Sequence, residues 1–170
     1  MQDEELVDIV DENMNFLKIA PKKDAHIEGL LHKAVIANVI DSQGRYLLTK
    51  PSKGRQDASQ YVFPAGGHVS AGEGEDDALK REVFEELGLK DFKFEFVGRA
   101  IFNREVIGRK ENHFFNLYKV FSDQEPNIGH EHEDYKYFSE TELRKELKEN
   151  PENFGGAFHF VVNNFFPNLL

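Results

Sequence analysis

Three glutamates, Glu82, Glu85 and Glu86, stand at i, i+3 and i+4 in the run ALKREVFEELGL. On a helix that spacing puts them on one face, where like charges repel by roughly a few tenths of a kcal/mol per pair. Either the face is simply solvated, or it holds a hard divalent cation, for which oxygen-only ligands suit Mg2+ (or Mn2+). The surroundings favour the cation. A glycine-rich run, GGHVSAGEG, precedes the acids, and Glu73 and Arg81 stand at fixed distances from them. A cation so held can neutralise the oxygens of a diphosphate, stabilise the departing phosphate and acidify a bound water, while a neighbouring carboxylate takes the proton.

The helix that must carry these acids is marked at both ends. Glu75, Asp76 and Asp77 place negative charge in its first turn, where the macrodipole favours it. Ala78, Leu79, Val83 and Leu87 recur at helical spacing, and Gly88 suits the left-handed residue that ends a helix.

Gly67, Glu73, Arg81, Glu82, Val83, Glu85, Glu86, Gly88 and Leu89 fill every position of G-x5-E-x7-R-E-U-x-E-E-x-G-U, with U aliphatic. Its seven fixed positions should recur by chance on the order of once in 10^6 chains of this size. The stretch 66–89 resembles the signature of the Nudix hydrolase family. The resemblance implies that Glu82, Glu85 and Glu86 bind metal, one of them with a role as base. It implies that Arg81 and Glu73 pair to orient the helix and that the Gly66 carbonyl adds a ligand. In that family a further acid commonly lies in the loop before the last strand. Glu131 takes that place here, with Glu133 and Asp134 as competitors and a solvated acidic loop as the alternative. Phosphate needs cations. Lys50, Lys53 and Arg55 cluster before the signature, and Arg99, Arg104, Arg109 and Lys110 follow it, any of them otherwise plain surface charge. Lys50, at the end of a strand leading to the site loop, is the first choice, with Arg55 and Gly67 completing the substrate-facing set.

Outside the signature the chain resembles the isopentenyl-diphosphate isomerase branch of the superfamily, through VDIVDEN near the start, KKDAHIEGLLHKAV from Lys22, and GGHV at Gly66. In those isomerases three histidines and two glutamates hold a metal, and a cysteine and a glutamate move the protons. His32 and His68 match two of the ligands. His26 stands near the third, one residue short in its spacing to His32. Glu111 matches one glutamate, the other falls on His113, and the cysteine falls on Gly66. The chain thus lacks the pair that protonates a double bond, while its hydrolase signature is complete, so hydrolysis is favoured over isomerisation. His26, His32, His68 and His113 are either structural or a second, imidazole-based metal site. His130, His132 and His159 are assigned to structure or solvent.

The chain has 170 residues, which suits one domain with a full core. A net charge of −10 argues against duplex nucleic acid as a partner. The absence of cysteine excludes disulfides and thiol catalysis and fits a reducing compartment. The first ten residues lack the features of an export signal and no apolar run reaches ~18 residues, so a cytoplasmic protein off the membrane is expected. A homodimer is the commonest assembly for such a chain.

The patterning predicts two short strands, Leu6–Val10 and Phe16–Ala20, within an N-terminal extension over 1–31, and a loop or short helix carrying His26. A buried strand over His32–Ile40 and a hairpin partner over Arg45–Lys50 follow. Further strands are expected at Phe92–Phe102, His113–Phe121 and Tyr135–Phe138, with a turn over Arg104–Asn112. Two later helices are expected, one over Glu140–Asn150 capped by Ser139 and Glu142, the other apolar-faced over 156–170. Strands with three helices between them make an α+β fold with a mixed β-sheet, and the family resemblance implies an α/β/α sandwich. The function expected is metal-dependent cleavage of a diphosphate linkage in a small molecule. The alternatives are an isomerase of prenyl diphosphates and a nucleotide-binding domain without turnover.

Overall fold

The computed structural model describes residues 4–170. The reading of the first ten residues as free of an export signal falls in part on residues 1–3, outside that range.

The strand β3, His32–Ile40, is the axis of the sheet. It is an apolar, β-branched run buried on both faces, as a strand covered from two sides must be. Along one edge it runs parallel to β7, Arg109–Phe121, in continuous register from His32 against His113 to Ile40 against Phe121. Along its other edge it meets three strands in turn. Its first residue faces Ile9 of β1, Leu6–Val10; residues 34–37 pair with β5, Ala65–His68; and its last two pair with β4, Tyr46–Pro51. β2, Phe16–Pro21, closes on β1, while β8, His132–Phe138, closes on β4. β6, Lys93–Val106, pairs with β7. Eight strands thus form one mixed sheet among the described residues.

The region expected as a turn over Arg104–Asn112 is instead ladder almost throughout, with Arg104 against Glu111, Glu105 against Lys110 and Val106 against Arg109. Only Ile107 and Gly108 reverse the chain, both at positive φ (49° and 74°), the geometry of a tight two-residue hairpin turn. The polar residues flanking Gly108 mark an exposed hairpin arm, not the width of the turn.

α2, Glu75–Leu87, lies on one face of the sheet and ends at Gly88 with φ 68°. Its Ala78, Leu79, Val83 and Leu87 are fully buried against Val35, Ala37, Leu47, Tyr118 and Val120. On the other face lie α3, Glu140–Glu149, through Leu143, and α4, Gly156–Phe165, through Phe158, Val161 and Val162. Ser139 and Glu142 make both bonds of a capping box at the start of α3. The fold is therefore α+β, a mixed sheet sandwiched between helices. The helix expected over 156–170 stops at Phe165, because Pro167 cannot continue it, and a 3-10 turn follows. The loop or short helix expected around His26 is a short helix, α1, Lys22–Glu28, which ends at Gly29 with φ 70°. β8 begins at His132 and not at Tyr135. No helix among the described residues is long and apolar enough to cross a membrane.

Phe158 is 1% exposed, packs on Phe63 and Phe154, and anchors α4 to the sheet. Phe158→Ala should lower stability by about 3–5 kcal/mol. Urea unfolding should show this as a fall in midpoint at unchanged slope.

Candidate active site

The acid helix is held to the sheet by Arg81. Its Nε and Nη2 donate to the two oxygens of Glu73, both at 2.9 Å, and Nη2 also donates to the His68 carbonyl at 3.0 Å. Nη1 donates to Glu82 at 2.8 Å and reaches Glu85 at 3.5 Å. All five guanidinium N–H groups thus have acceptors. Hydrogen bonds from Arg81 hold the Glu73 carboxyl below its usual range, with further help from the Ser70 amide.

Glu82 lies flat against Gly67, where an added Cβ would come within 2.3 Å of its carboxylate. Burial, reinforced by the charge of Glu86, pushes the Glu82 carboxyl up to about 7 despite Arg81. Burial also raises Glu86, whose carboxylate accepts the Gly66 N–H at 2.7 Å. Glu85 is the outer member of the three, with a side chain 55% exposed. Two carboxylates are therefore kept out of water at the point where α2 crosses β5, with Arg81 as the only side-chain cation bonded to Glu82 among the described residues.

Beside them opens a cavity of about 590 Å3. Its lining includes Gly66, Glu86, Glu131 and His132, the cations Arg55, Arg104 and Arg109, and apolar surface from Ile36, Val62, Phe63 and Phe158. Arg55 stands 3.9 Å from Glu131. Arg104 is mostly buried, 4.0 Å from Asp57, and its Nε has no partner. Glu111 is 6% exposed and lies 3.5 Å from Arg109.

The second cluster lies where the N-terminal ends of β3 and β7 meet β5 and α1. His26, His32, His68 and His113 each offer a ring nitrogen within 4.8 Å of every other. The short spacing from His26 to His32 is taken up by the left-handed turn at Gly29, whose carbonyl accepts from Asn112 at 2.7 Å. His32 Nδ1 bonds the Leu30 carbonyl at 2.8 Å, which leaves Nε2 without a partner; His26 Nε2 is orphaned too. One ring nitrogen tied to a backbone carbonyl and the other free is the arrangement of a metal-ligating histidine. Burial drives the His68 and His113 pKa values down to about 2 and lowers those of His26 and His32, so the imidazoles are neutral.

The structure thus brings Glu73, Arg81, Glu82, Glu86, Gly66 and Gly67 together and sets Glu131 and Arg55 in the adjoining cavity. It is the Gly66 amide that is seen to engage the acids, through Glu86. The three glutamates are not gathered as closely as the histidines. Lys50 is not on the cavity wall; its ammonium stands over the Tyr61 ring at 4.7 Å. His132, assigned to structure or solvent, is a buried neighbour of Glu86 at 3.7 Å. Arg104 and Arg109 had no distinguishing signal beyond their charge, since their place depends on how far the β6–β7 hairpin reaches.

Comparison with known proteins agrees with this architecture. A model of the NUDIX domain matches residues 30–157, and the chain belongs to that family. It is 39% identical over 105 residues to an uncharacterized Nudix hydrolase of Streptomyces coelicolor, a match spanning 55% of each chain. It is 32% identical to isopentenyl-diphosphate Delta-isomerase 1 of Aromatoleum aromaticum, covering 89% of this chain and 86% of that one. Among solved structures, a protein of Deinococcus radiodurans superposes with a TM-score of 0.75 at 19% identity, over 95% of this chain and 99% of that one. The NUDIX domain of Shewanella oneidensis NrtR, solved with ADP ribose, superposes at 0.58 and 16% identity over 78% of this chain and 83% of that one. These two likenesses are of fold.

Glu73→Gln should cost about 1–2 kcal/mol at neutral pH, since it halves the charge-assisted anchoring of Arg81. The Glu73 carboxyl is depressed in the folded state. Its contribution is therefore present above its ordinary pKa of 4.5 and is lost as pH falls through the lower folded value. Chemical denaturation should show the wild-type advantage at pH 7 and its decline toward pH 3.

Proposed function

We propose that this chain is a metal-dependent hydrolase that cleaves the diphosphate linkage of a nucleoside diphosphate derivative or a related organic diphosphate. The observation that carries the reading is the pair Glu82 and Glu86. These mostly buried carboxylates press against a glycine strand, and Glu86 lines a cavity that Arg55, Arg104 and Arg109 also line. Buried like charges are costly unless a cation joins them. Gly67 leaves room for Glu82 that any side chain would take. The residues present therefore fit Mg2+ or Mn2+, which Glu82 and Glu86 would hold, with Glu131 lining the same cavity as Glu86. Such an ion supplies charge neutralisation at the diphosphate and acidifies the attacking water. Arg55, Arg104 and Arg109 take the phosphate oxygens, and Phe63 and Phe158 pack the organic group. With a net charge of −10, a small anion drawn to these arginines is a better partner than a nucleic-acid duplex.

An isomerase reading is favoured by the near full-length similarity to the Aromatoleum protein. Gly66, where the isomerase cysteine falls, weighs against it: an added Cβ there would meet the Val35 carbonyl at 2.8 Å, so the position has no room for a thiol. The histidine nest is retained in either case. We assign it to a second metal centre, for a transition-metal ion suited to imidazole.

With ADP-ribose, formation of AMP and ribose 5-phosphate should require Mg2+ or Mn2+, and Glu86→Gln should lower kcat by roughly 10^2-fold or more with the fold intact. Unchanged turnover would remove the assignment, and double-bond migration in isopentenyl diphosphate without phosphate release would replace it. Elemental analysis of the purified protein should find a transition metal that His32→Ala removes; its absence from wild type would end the second assignment.

A further inference from the structure

His132 opens β8 at a break in the sheet. Lys50 pairs with Asp134, but the next residue of β4, Pro51, pairs with His132, so Glu133 is bulged out. A bulge of this kind re-aims the neighbouring side chain, and such bulges concentrate beside active sites. Here it turns the His132 ring inward: the side chain is 7% exposed, and Nε2 lies 3.7 Å from Glu86 Oε1. That separation is too long for a hydrogen bond. Neither ring nitrogen has a partner. A buried imidazole with two orphaned nitrogens is costly, and an ion between Nε2 and the Glu86 carboxylate gives one of them a partner. The segment is braced for this position, since Ser52 donates from its amide to the Glu131 carbonyl at 2.9 Å and from its hydroxyl to the His130 carbonyl at 2.6 Å.

We propose that His132 is a nitrogen ligand of the carboxylate centre, so that this site selects Mn2+ or another transition-metal ion over Mg2+. The inference rests on the reading of Glu82 and Glu86 as metal ligands and deepens it. A separation of 3.7 Å between ligand atoms falls within the span of two donors on one ion. Mg2+ prefers oxygen donors and gains little from an imidazole, whereas the affinity of Mn2+ and later ions rises with nitrogen ligation. The donor set at Glu86 is thereby mixed, in contrast to the all-oxygen set implied by the glutamates alone.

The test uses protein carrying His32→Ala, His68→Ala and His113→Ala, which leave a single imidazole of the competing nest, loaded with one equivalent of Mn2+. Pulsed electron paramagnetic resonance should show nitrogen modulation from a directly bound imidazole, and His132→Gln should abolish it. Titration should show the Mn2+ Kd rising on the order of tenfold or more in His132→Gln while the Mg2+ Kd moves less than about threefold. Absence of nitrogen modulation before any change at position 132 would overturn the inference, and so decides it even if His132→Gln fails to fold. Modulation that survives His132→Gln, or Kd values for both ions that shift together or stay fixed, would also overturn it. Mn2+ binding that Glu86→Gln weakens, but that shows no nitrogen signal, sinks His132 alone. Binding that Glu86→Gln leaves untouched sinks the carboxylate centre and this inference with it.

Discussion

The Arg81 guanidinium is the constraint on which both candidate centres depend. It joins Glu73 in the loop, Glu82 on α2 and the His68 carbonyl on β5, with every N–H directed at an acceptor. A planar fork with five fixed donors can do this, and a lysine could not. Without it, Glu82 would be buried with no countercharge, and the Gly66 amide on Glu86 would be left as the polar tie between β5 and α2. The same bond holds the backbone of a residue whose imidazole belongs to the histidine nest, so one side chain sets the spacing of two sites on opposite faces of a strand.

Alternation along β5 explains how the two faces divide. Gly67 turns toward α2 and makes room for Glu82, while His68 turns toward the other face, where His32 and His113 stand in register on β3 and β7. Gly66 is confined by the Val35 carbonyl and spends its amide on Glu86. The small residues Ala65, Gly66 and Gly67 thus let a helix approach from one side and a cavity open beside it. The acids gain nothing from this arrangement in stability. Their raised pKa values record the cost of burial, which is the expected signature of groups placed for a ligand.

Much of this was legible in the chain, for identifiable reasons. α2 announced itself because its apolar stripe, acidic first turn and terminal glycine agree, and β3 because a strand buried on both faces has nowhere to hide its composition. The Ser139 capping box was equally local. What escaped depends on distance or on exposure. The β6–β7 arm is polar because it is solvated, so its charges read as a turn. Its arginines reach the cavity only because the ladder continues to Val106. Lys50 stands at a strand end leading to the site loop, but its ammonium lies over Tyr61, a contact between segments that its place in the chain does not reveal. His132 was invisible because a bulge, which has no composition signature here, decides where its ring points. The histidine nest was suggested by resemblance; that the short His26–His32 spacing closes on it follows from a left-handed glycine, which spacing alone does not reveal.

Hydrolysis at this site requires a cation lying between Glu82 and Glu86, beside the cavity that Glu86 lines. Crystals of the full-length protein soaked in Mn2+ and measured at the manganese absorption edge test this most directly. The expected result is an anomalous peak within bonding distance of both carboxylates. A map with no peak there, or with density only among His26, His32, His68 and His113, would contradict it.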